Sequence, residues 1–403
     1  MGSLVLVYQR STPWRAGMTL KASAYSVNSI AFSGDSKKLL AGGADGFARV
    51  WDVDSGAQTT TVDLVHPVYS DELAMLLGGK DLIPAQNEDI ARRIVAGDIA
   101  PDGKNIAVID ETGMLSVFNT EKGELLLTNQ SPNYISVHFN AASDNLLVAD
   151  SAGTVTLIDS VHMLHGSNTF NVFNDTLSSA IYSKDDSKIV IATTDGVVQV
   201  RDRKSTRVIA ALQGDMSFFR SAVFSPDGKF IATSGKDSTV RLWTAYSGDQ
   251  SRSIIDFDKD KAAPEPTGGR TWFAKPAAVM RGHKQYVLSS QFSPEGDRLA
   301  TVGLDGSARV WGGRDGAALF TLTESGPWRS VAFAPDGNTL ALAGNDGAIQ
   351  LWNRRCSERW YGKLTLPEFW LMVLLIPALI WSLRRDQRII PPTPVTAGPR
   401  TED

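Results

Sequence analysis

Residues 221–243 read SAVFSPDGKFIATSGKDSTVRLW, and this stretch decides the fold. Ala222-Val223-Phe224 is a short apolar run that ends in a turn built on Pro226, Asp227 and Gly228. Proline presets φ near −65°, aspartate bonds its own backbone, and glycine tolerates positive φ. Phe230-Ile231-Ala232-Thr233 reads as a second strand and Lys236-Asp237-Ser238 as a second turn. Val240-Arg241-Leu242-Trp243 is then a third strand of alternating character.

The same pattern recurs in both directions along the chain. Asp227 precedes Trp243 by sixteen positions. That separation also links Asp35 to Trp51, Asp102 to Phe118, Ala142 to Ile158, Asp185 to Arg201, Glu295 to Trp311 and Asp336 to Trp352. The turn reads SPEGD at 293–297, APDGK at 100–104 and APDGN at 334–338, with looser forms SGDSK, NAASD and SKDDS in the other units. A fixed internal period is the signature of a repeat architecture, in which each unit buries its apolar face only against its neighbours. A fourth strand follows a polar turn, as at Val208-Ile209-Ala210-Ala211-Leu212. Four short antiparallel strands per unit describe a propeller blade, and there are seven units.

Most units repeat at the roughly 40–45-residue period of WD40 repeats, and the chain resembles that family over residues 18–354. The expected fold is therefore all-β, a seven-bladed WD40 β-propeller, with insertions at about 66–93 and 249–277. The family's dipeptides are unevenly kept: Trp51-Asp52 is intact and Gly-His survives at Gly282-His283. The resemblance implies a buried hydrogen-bonded tetrad of His, Thr, Asp and Trp, complete here as His283, Thr301, Asp305 and Trp311. The fifth unit keeps Thr233, Asp237 and Trp243 but has Asp215 in the His position. Units two to four replace Trp by Phe118, Ile158 and Arg201, so the second and third blades are expected to be less rigid. Arg201 is expected to hold its blade far less firmly than a Trp.

Ring closure needs a strand from one end of the chain to complete the blade at the other. Met18-Thr19-Leu20-Lys21 fits the outer strand that the seventh unit lacks, leaving residues 1–17 as an N-terminal extension. Residues 3–9, SLVLVYQ, are a second strand-like stretch that could take this role or extend the edge.

The 403 residues carry a formal charge of −4 without a basic run, which argues against a sequence-independent grip on nucleic acid. The single cysteine, Cys356, rules out an internal disulfide framework and fits a reducing compartment. The N-terminal MGSLVLVYQRST has no charged n-region and too short an apolar stretch for a signal peptide. Gly2 is followed by Leu6 where a myristoylation motif needs Ser or Thr. Towards the other end, FWLMVLLIPALIWSL (369–383) holds no charge. Extended back to Leu364 it would span about 30 Å as a helix, the thickness of a bilayer core. Trp370 and Trp381 lie towards its two ends, and Arg384-Arg385 stop it. A single transmembrane helix over 364–383, a cytoplasmic propeller and a disordered tail at 384–403 are expected. The basic residues on the two sides of the span nearly balance, so orientation rests on the missing signal peptide and the lone cysteine.

No constellation for catalysis stands out. Five histidines, at 66, 138, 162, 165 and 283, offer no metal-ligand set, and neither a GxSxG nor a P-loop is present. Asp256-Phe257-Asp258-Lys259-Asp260 has the alternation of a calcium loop, but Lys261 and Thr267 stand where that loop needs Gly and Glu. No cofactor and no metal are expected. In the first insertion, 70–79 and 87–94 read as short helices that cover a sheet edge or dock a partner.

The resemblance also implies a binding face over the central opening, at the starts of the innermost strands and the residues before the turn aspartates. Carried onto this sequence, those positions are Arg93, Phe218, Arg220, Lys236, Tyr286, Leu304, Arg329 and Asn345, beside the less distinctive Asn133, Thr176 and Thr194. Arginine and aromatic residues dominate interface energetics. The leading expectation is a non-enzymatic, membrane-anchored scaffold that recruits a protein or peptide, acidic or phosphorylated, through this face. The alternative is a structural subunit of a membrane complex whose C-terminal helix packs on partner helices. A propeller enzyme or metal-dependent sensor is a third class.

Overall fold

The SPDGK turn closes through its serine. In the computed structural model, the Ser225 hydroxyl donates to Asp227 Oδ1 at 2.7 Å and accepts from the Phe230 amide at 2.9 Å, while Gly228 sits at φ +68°. The same corner recurs in the looser units with Ser36, Ser143 and Asp186 at φ 64°, 63° and 57° in the glycine position. The sequence variants are therefore one turn, whose left-handed residue need not be glycine.

The structure describes residues 14–69, 92–130, 133–159, 168–172, 176–213, 218–245, 276–323 and 328–354. They form seven antiparallel sheets of four strands each, the second with a fifth strand added. The innermost strands, in blade order, are Val27–Phe32, Ile94–Ile99, Tyr134–Phe139, Leu177–Tyr182, Phe219–Phe224, Val287–Phe292 and Trp328–Phe333. Blade seven takes its outermost strand from Trp14–Lys21, which pairs antiparallel with Ala348–Arg354. This closing strand begins at Trp14, four residues before the sequence suggested. Its first residue packs edge-on against Phe333, with ring centroids 5.9 Å apart. The second insertion falls inside blade five, between Thr239–Thr244 and its outer strand Ala278–Arg281. In the first, Val68–Tyr69 adds in parallel to the outer strand of blade two.

Among the described residues there is no single core. Buried apolar residues fall into seven clusters, each shared by two neighbouring blades. One cluster joins Leu340 and Leu342 of blade seven to Ala300 and Val310 of blade six; another joins Ile349 and Leu351 of blade seven to Leu39 and Trp51 of blade one. Each sheet is thus covered on both faces, which explains why second strands such as Ile189-Val190-Ile191-Ala192 are apolar without alternation. All seven Trp positions are buried to 8% exposure or less, whether they hold Trp, Phe118, Ile158 or Arg201.

Arg201 corrects the sequence reading. Its guanidinium donates to Gln199 Oε1 at 3.0 Å, the Thr206 carbonyl at 3.1 Å and the Asn171 carbonyl at 3.3 Å, and lies over the Phe170 ring at 4.9 Å. A charge takes the place of the indole because four groups receive it.

Polar locks join the blades around the ring. Asp98 Oδ2 of blade two accepts from the Phe139 amide of blade three at 2.8 Å, and Gln291 of blade six bonds the Phe333 amide of blade seven. Ser29 donates to the Gly97 carbonyl at 2.7 Å. The non-glycine turn residues reach further: Ser143 Oγ accepts from the Asp102 amide at 3.1 Å and Asp186 from the Ala141 amide at 3.0 Å.

Among the described residues no helix is long and apolar enough to cross a membrane. The span expected at 364–383, the tail at 384–403, the helix at 70–79, the strand-like 3–9 and the acidic run at 256–260 lie outside the described residues. Of the helix expected over 87–94, residues 92–94 are described, and they are a correction: Arg92 and Arg93 are in no helix, and Ile94 opens the innermost strand of blade two.

Candidate interaction face

One backbone hydrogen bond, repeated in six blades, defines the face. The amide after the second strand donates to the carbonyl just before the innermost strand. The pairs are Ala44–Ser26, Glu111–Arg93, Ser151–Asn133, Thr194–Thr176, Lys236–Phe218 and Leu304–Tyr286, at 2.8–3.1 Å. The bond fixes both residues at the same end of each blade, around one mouth of the ring. Arg93, Phe218, Lys236, Tyr286 and Leu304 all belong to these pairs. Arg220 and Arg329 are the second residues of their innermost strands and line the central channel, a cavity of about 480 Å³. Asn345 stands next to them, with its side-chain oxygen accepting from Arg329 Nε.

The cations at this mouth are in different states. Arg93 faces Glu111, with Nε 3.9 Å from Oε2, and is two-thirds exposed. Lys236 places its ammonium 3.8 Å from the Phe218 ring centroid and 5.9 Å from that of Tyr286. Such stacking holds a cation by about 0.5–2 kcal/mol and leaves it less available to an incoming anion. Arg220 has no hydrogen bond or ion pair to any described residue. Desolvation inside the ring, and then the charge of Arg329, lower its pKa.

Sequence reasoning missed the rest of the channel wall at this level. Asn28, Val95, Ile135, Ser178 and Leu288 occupy the position equivalent to Arg220 and Arg329, and all line the cavity. The signal was available, since each is the second residue of its innermost strand. Tyr25, 65% exposed beside the Ser26–Ala44 pair, was also missed. Deeper in the channel, Asp98 and His138 approach to 3.6 Å, three positions further along their strands.

The tetrad lies in blade six and serves structure. His283 Nε2 and Thr301 Oγ1 are 2.8 Å apart, and Trp311 Nε1 donates to the same oxygen at 2.9 Å. His283 Nδ1 is 3.1 Å from Asp305 Oδ1, which also accepts from Ser307, while Asp305 Oδ2 accepts from the Lys284 amide at 2.8 Å. Burial lowers the His283 pKa despite its carboxylate neighbour. Burial alone would raise Asp305, but bonds from the Lys284 amide, His283 and Ser307 prevail and hold it at about 2. In blade five, Trp243 Nε1 reaches Thr233 at 2.9 Å in the same manner. Among the described residues no cluster of three His, Cys, Asp or Glu could hold a metal ion.

Seven four-stranded blades around a channel, with side chains gathered at one mouth, define a repeat propeller. The family model for the WD domain, G-beta repeat, matches residues 14–52, 207–244, 274–312 and 316–353. This chain is a WD40-repeat protein. The matched segments are those that carry Trp51, Trp243, Trp311 and Trp352; the positions of Phe118, Ile158 and Arg201 fall outside them, and of blades two to four only the outer strand Val208–Gln213 is matched. Periodic tryptophan protein 2 of Arabidopsis thaliana is 23% identical over 55% of this chain and 22% of its own length. Transducin beta-like protein 3 of Rattus norvegicus is 24% identical over 60% of this chain and 29% of its own. Nuclear distribution protein PAC1 of Arthroderma otae is 25% identical over 35% and 30%. The chain thus spans under a third of the length of these curated relatives. WD40 propellers act in general as protein-interaction scaffolds without enzymatic activity.

Proposed function

We propose that this protein is a non-enzymatic scaffold that recruits a protein or peptide across the mouth of its channel at blades five to seven. The observation that carries this reading is the arc formed by Phe218, Lys236, Tyr286 and Leu304 beside Arg220 and Arg329. It combines exposed aromatic area with cations on a rigid ring, the composition that concentrates binding energy at interfaces. Tyr286 is 46% exposed although large and apolar. An acidic or phosphorylated partner suits the cations, because guanidinium groups form charge-assisted bidentate bonds with such groups. The apolar run at 364–383 supports a scaffold anchored in a membrane, with the propeller on the cytoplasmic side.

The test is comparative purification. The full-length chain and a Phe218→Ala/Tyr286→Ala variant are each cross-linked in their native cells and isolated. Partners that are lost from the variant, and regained when both aromatics are restored, support the mouth as the docking site. Retention of every partner by the variant, with loss after deletion of 66–93, moves the site to the first insertion.

A further inference from the structure

The mouth has a counterpart at the other end of the blades. In six of them the amide at or just beyond the end of the third strand donates to a carbonyl of the turn after the innermost strand. Arg203–Ser187, Ala245–Lys229 and Arg354–Asn338 are three of these bonds, which measure 2.6–3.0 Å. A six-residue innermost strand such as Phe219–Phe224 sets this turn face about 20 Å from the mouth. Trp14 pairs with Arg354, so both flanking segments of the chain leave the propeller from the turn face, at blade seven.

Charge on the turn face is uneven. The two turns of blade four carry Lys184, Lys188, Arg203, Lys204 and Arg207 against Asp185, Asp186 and Asp202. In the corresponding turns of blades one, two, three and six, carboxylates outnumber cations among the described residues. The blade-four carboxylates are also tied into the fold. Asp185 accepts from the Ser183 and Ser187 hydroxyls at 2.6 and 2.8 Å, and Asp202 from the Ser205 amide and hydroxyl at 2.8 and 2.7 Å. Asp186 accepts from the Ala141 amide of blade three at 3.0 Å. Lys184, Lys204 and Arg207 are exposed, and their longer side chains meet an approaching surface first. The Arg203–Ser187 bond joins the two turns into one patch, and the Arg203 guanidinium lies over the Tyr182 ring at 5.4 Å.

We infer that the turns of blade four rest on the anionic headgroups of a bilayer and so hold the mouth pointing away from the membrane. This inference depends on the anchored reading given above. Blade four stands across the ring from blade seven, where the flanking segments leave. A tether on one side of the ring and an electrostatic contact on the other keep the turn face flat against the surface. Each Lys or Arg close to an anionic leaflet adds roughly fivefold to the affinity, and the attraction fades within a Debye length. The blade whose cations lead is therefore the one that engages, and the mouth at the far end of the strands stays open to a partner.

Amine acylation of the full-length chain tests the contact. The chain is reconstituted in vesicles of phosphatidylcholine, or of a three-to-one mixture with phosphatidylglycerol, and an impermeant reagent labels the lysines outside. Lys184 and Lys204 should react slower by about fivefold or more in the mixed vesicles, while Lys284, exposed in the loop leading to Tyr286, stays within about twofold. Molar salt should abolish the difference. In Lys204→Gln/Arg207→Gln, Lys184 should react at one rate in both vesicles. Equal rates for the wild type in the two compositions, equal slowing of Lys284, or protection that survives the double variant would each overturn the inference. Equal rates are also the outcome if the patch serves an acidic protein or a nucleic acid. Flotation separates this contact from the anchor. A chain that floats only with the mixed vesicles, and no longer does so as Lys204→Gln/Arg207→Gln, has the contact without the anchor. A chain that floats with both but shows equal lysine rates has the anchor without the contact.

Discussion

The Ser36 hydroxyl accepts a hydrogen bond from the Asp336 amide at 3.0 Å, across 300 positions of chain. It joins the turn of blade one to the turn of blade seven, beside the strand that closes the ring. Ser36 adopts φ 64° there, a conformation that costs a residue with a β-carbon about 1–2 kcal/mol. Ser36→Ala should keep that strain and lose the bond, lowering unfolding free energy by about 1 kcal/mol. Ser36→Gly should lose the bond and relieve the strain, ending near the wild type. Urea midpoints of the three proteins check this, and equal losses in both variants would refute the lock.

Trp243→Ala and Trp311→Ala should each cost about 3–5 kcal/mol, the range for truncating a buried aromatic. Arg201→Ala should fall in a similar range, since it strands Gln199 and two carbonyls and exposes Phe170. Denaturation by urea under conditions where the wild type refolds gives the comparison. A loss below about 1 kcal/mol at Arg201 would mean that its contacts are idle.

The contrast at Arg201 shows what the sequence could and could not carry. Turn-to-Trp spacing is a backbone property, so it survived the loss of Trp in blades two to four, at positions outside the family match. Ser36, Ser143 and Asp186 could replace glycine because each bonds a neighbouring blade's turn, a through-space fact that one unit's sequence does not hold. The mouth behaves likewise. The resemblance picks out Arg93, Lys236, Arg220 and Arg329 alike, whereas their inequality depends on Glu111, Phe218 and the wall of the channel. The equivalent wall positions were readable from strand starts, but only once the register of all seven innermost strands was fixed.

Acid should destabilise the protein in two windows that both trace to the tetrad. The folded-state pKa of His283 is lowered below its ordinary 6.5, so the unfolded chain takes up the proton first and stability falls as pH drops below about 6.5. Asp305 is held at about 2 against an ordinary 3.8, so its contribution is complete above about 4 and disappears as pH falls towards 2. His283→Asn should be less stable at pH 7.5 yet lose less between pH 7.5 and 5.5 than the wild type. Parallel pH slopes for the two proteins would exclude His283 as the titrating group.

Trp51 is buried in its position as Trp311 is, but its indole nitrogen has no partner. The reason lies ten residues earlier. Thr301 and Thr233 supply the acceptor for Trp311 and Trp243, each at 2.9 Å, while the equivalent residue in blade one is Ala41. Register confirms the equivalence: Ala41 pairs with Arg49 as Thr301 pairs with Arg309 and Thr233 with Arg241. Ala41→Thr should therefore raise stability by about 1 kcal/mol, the net value of a hydrogen bond that satisfies a buried donor. Ala41→Val has the same shape without the hydroxyl and controls for packing. It should be neutral or destabilising, because it adds volume to a filled interface and leaves the indole unpaired. Thermal midpoints of the two variants decide the matter, and a valine variant as stable as the threonine one would assign the gain to packing alone.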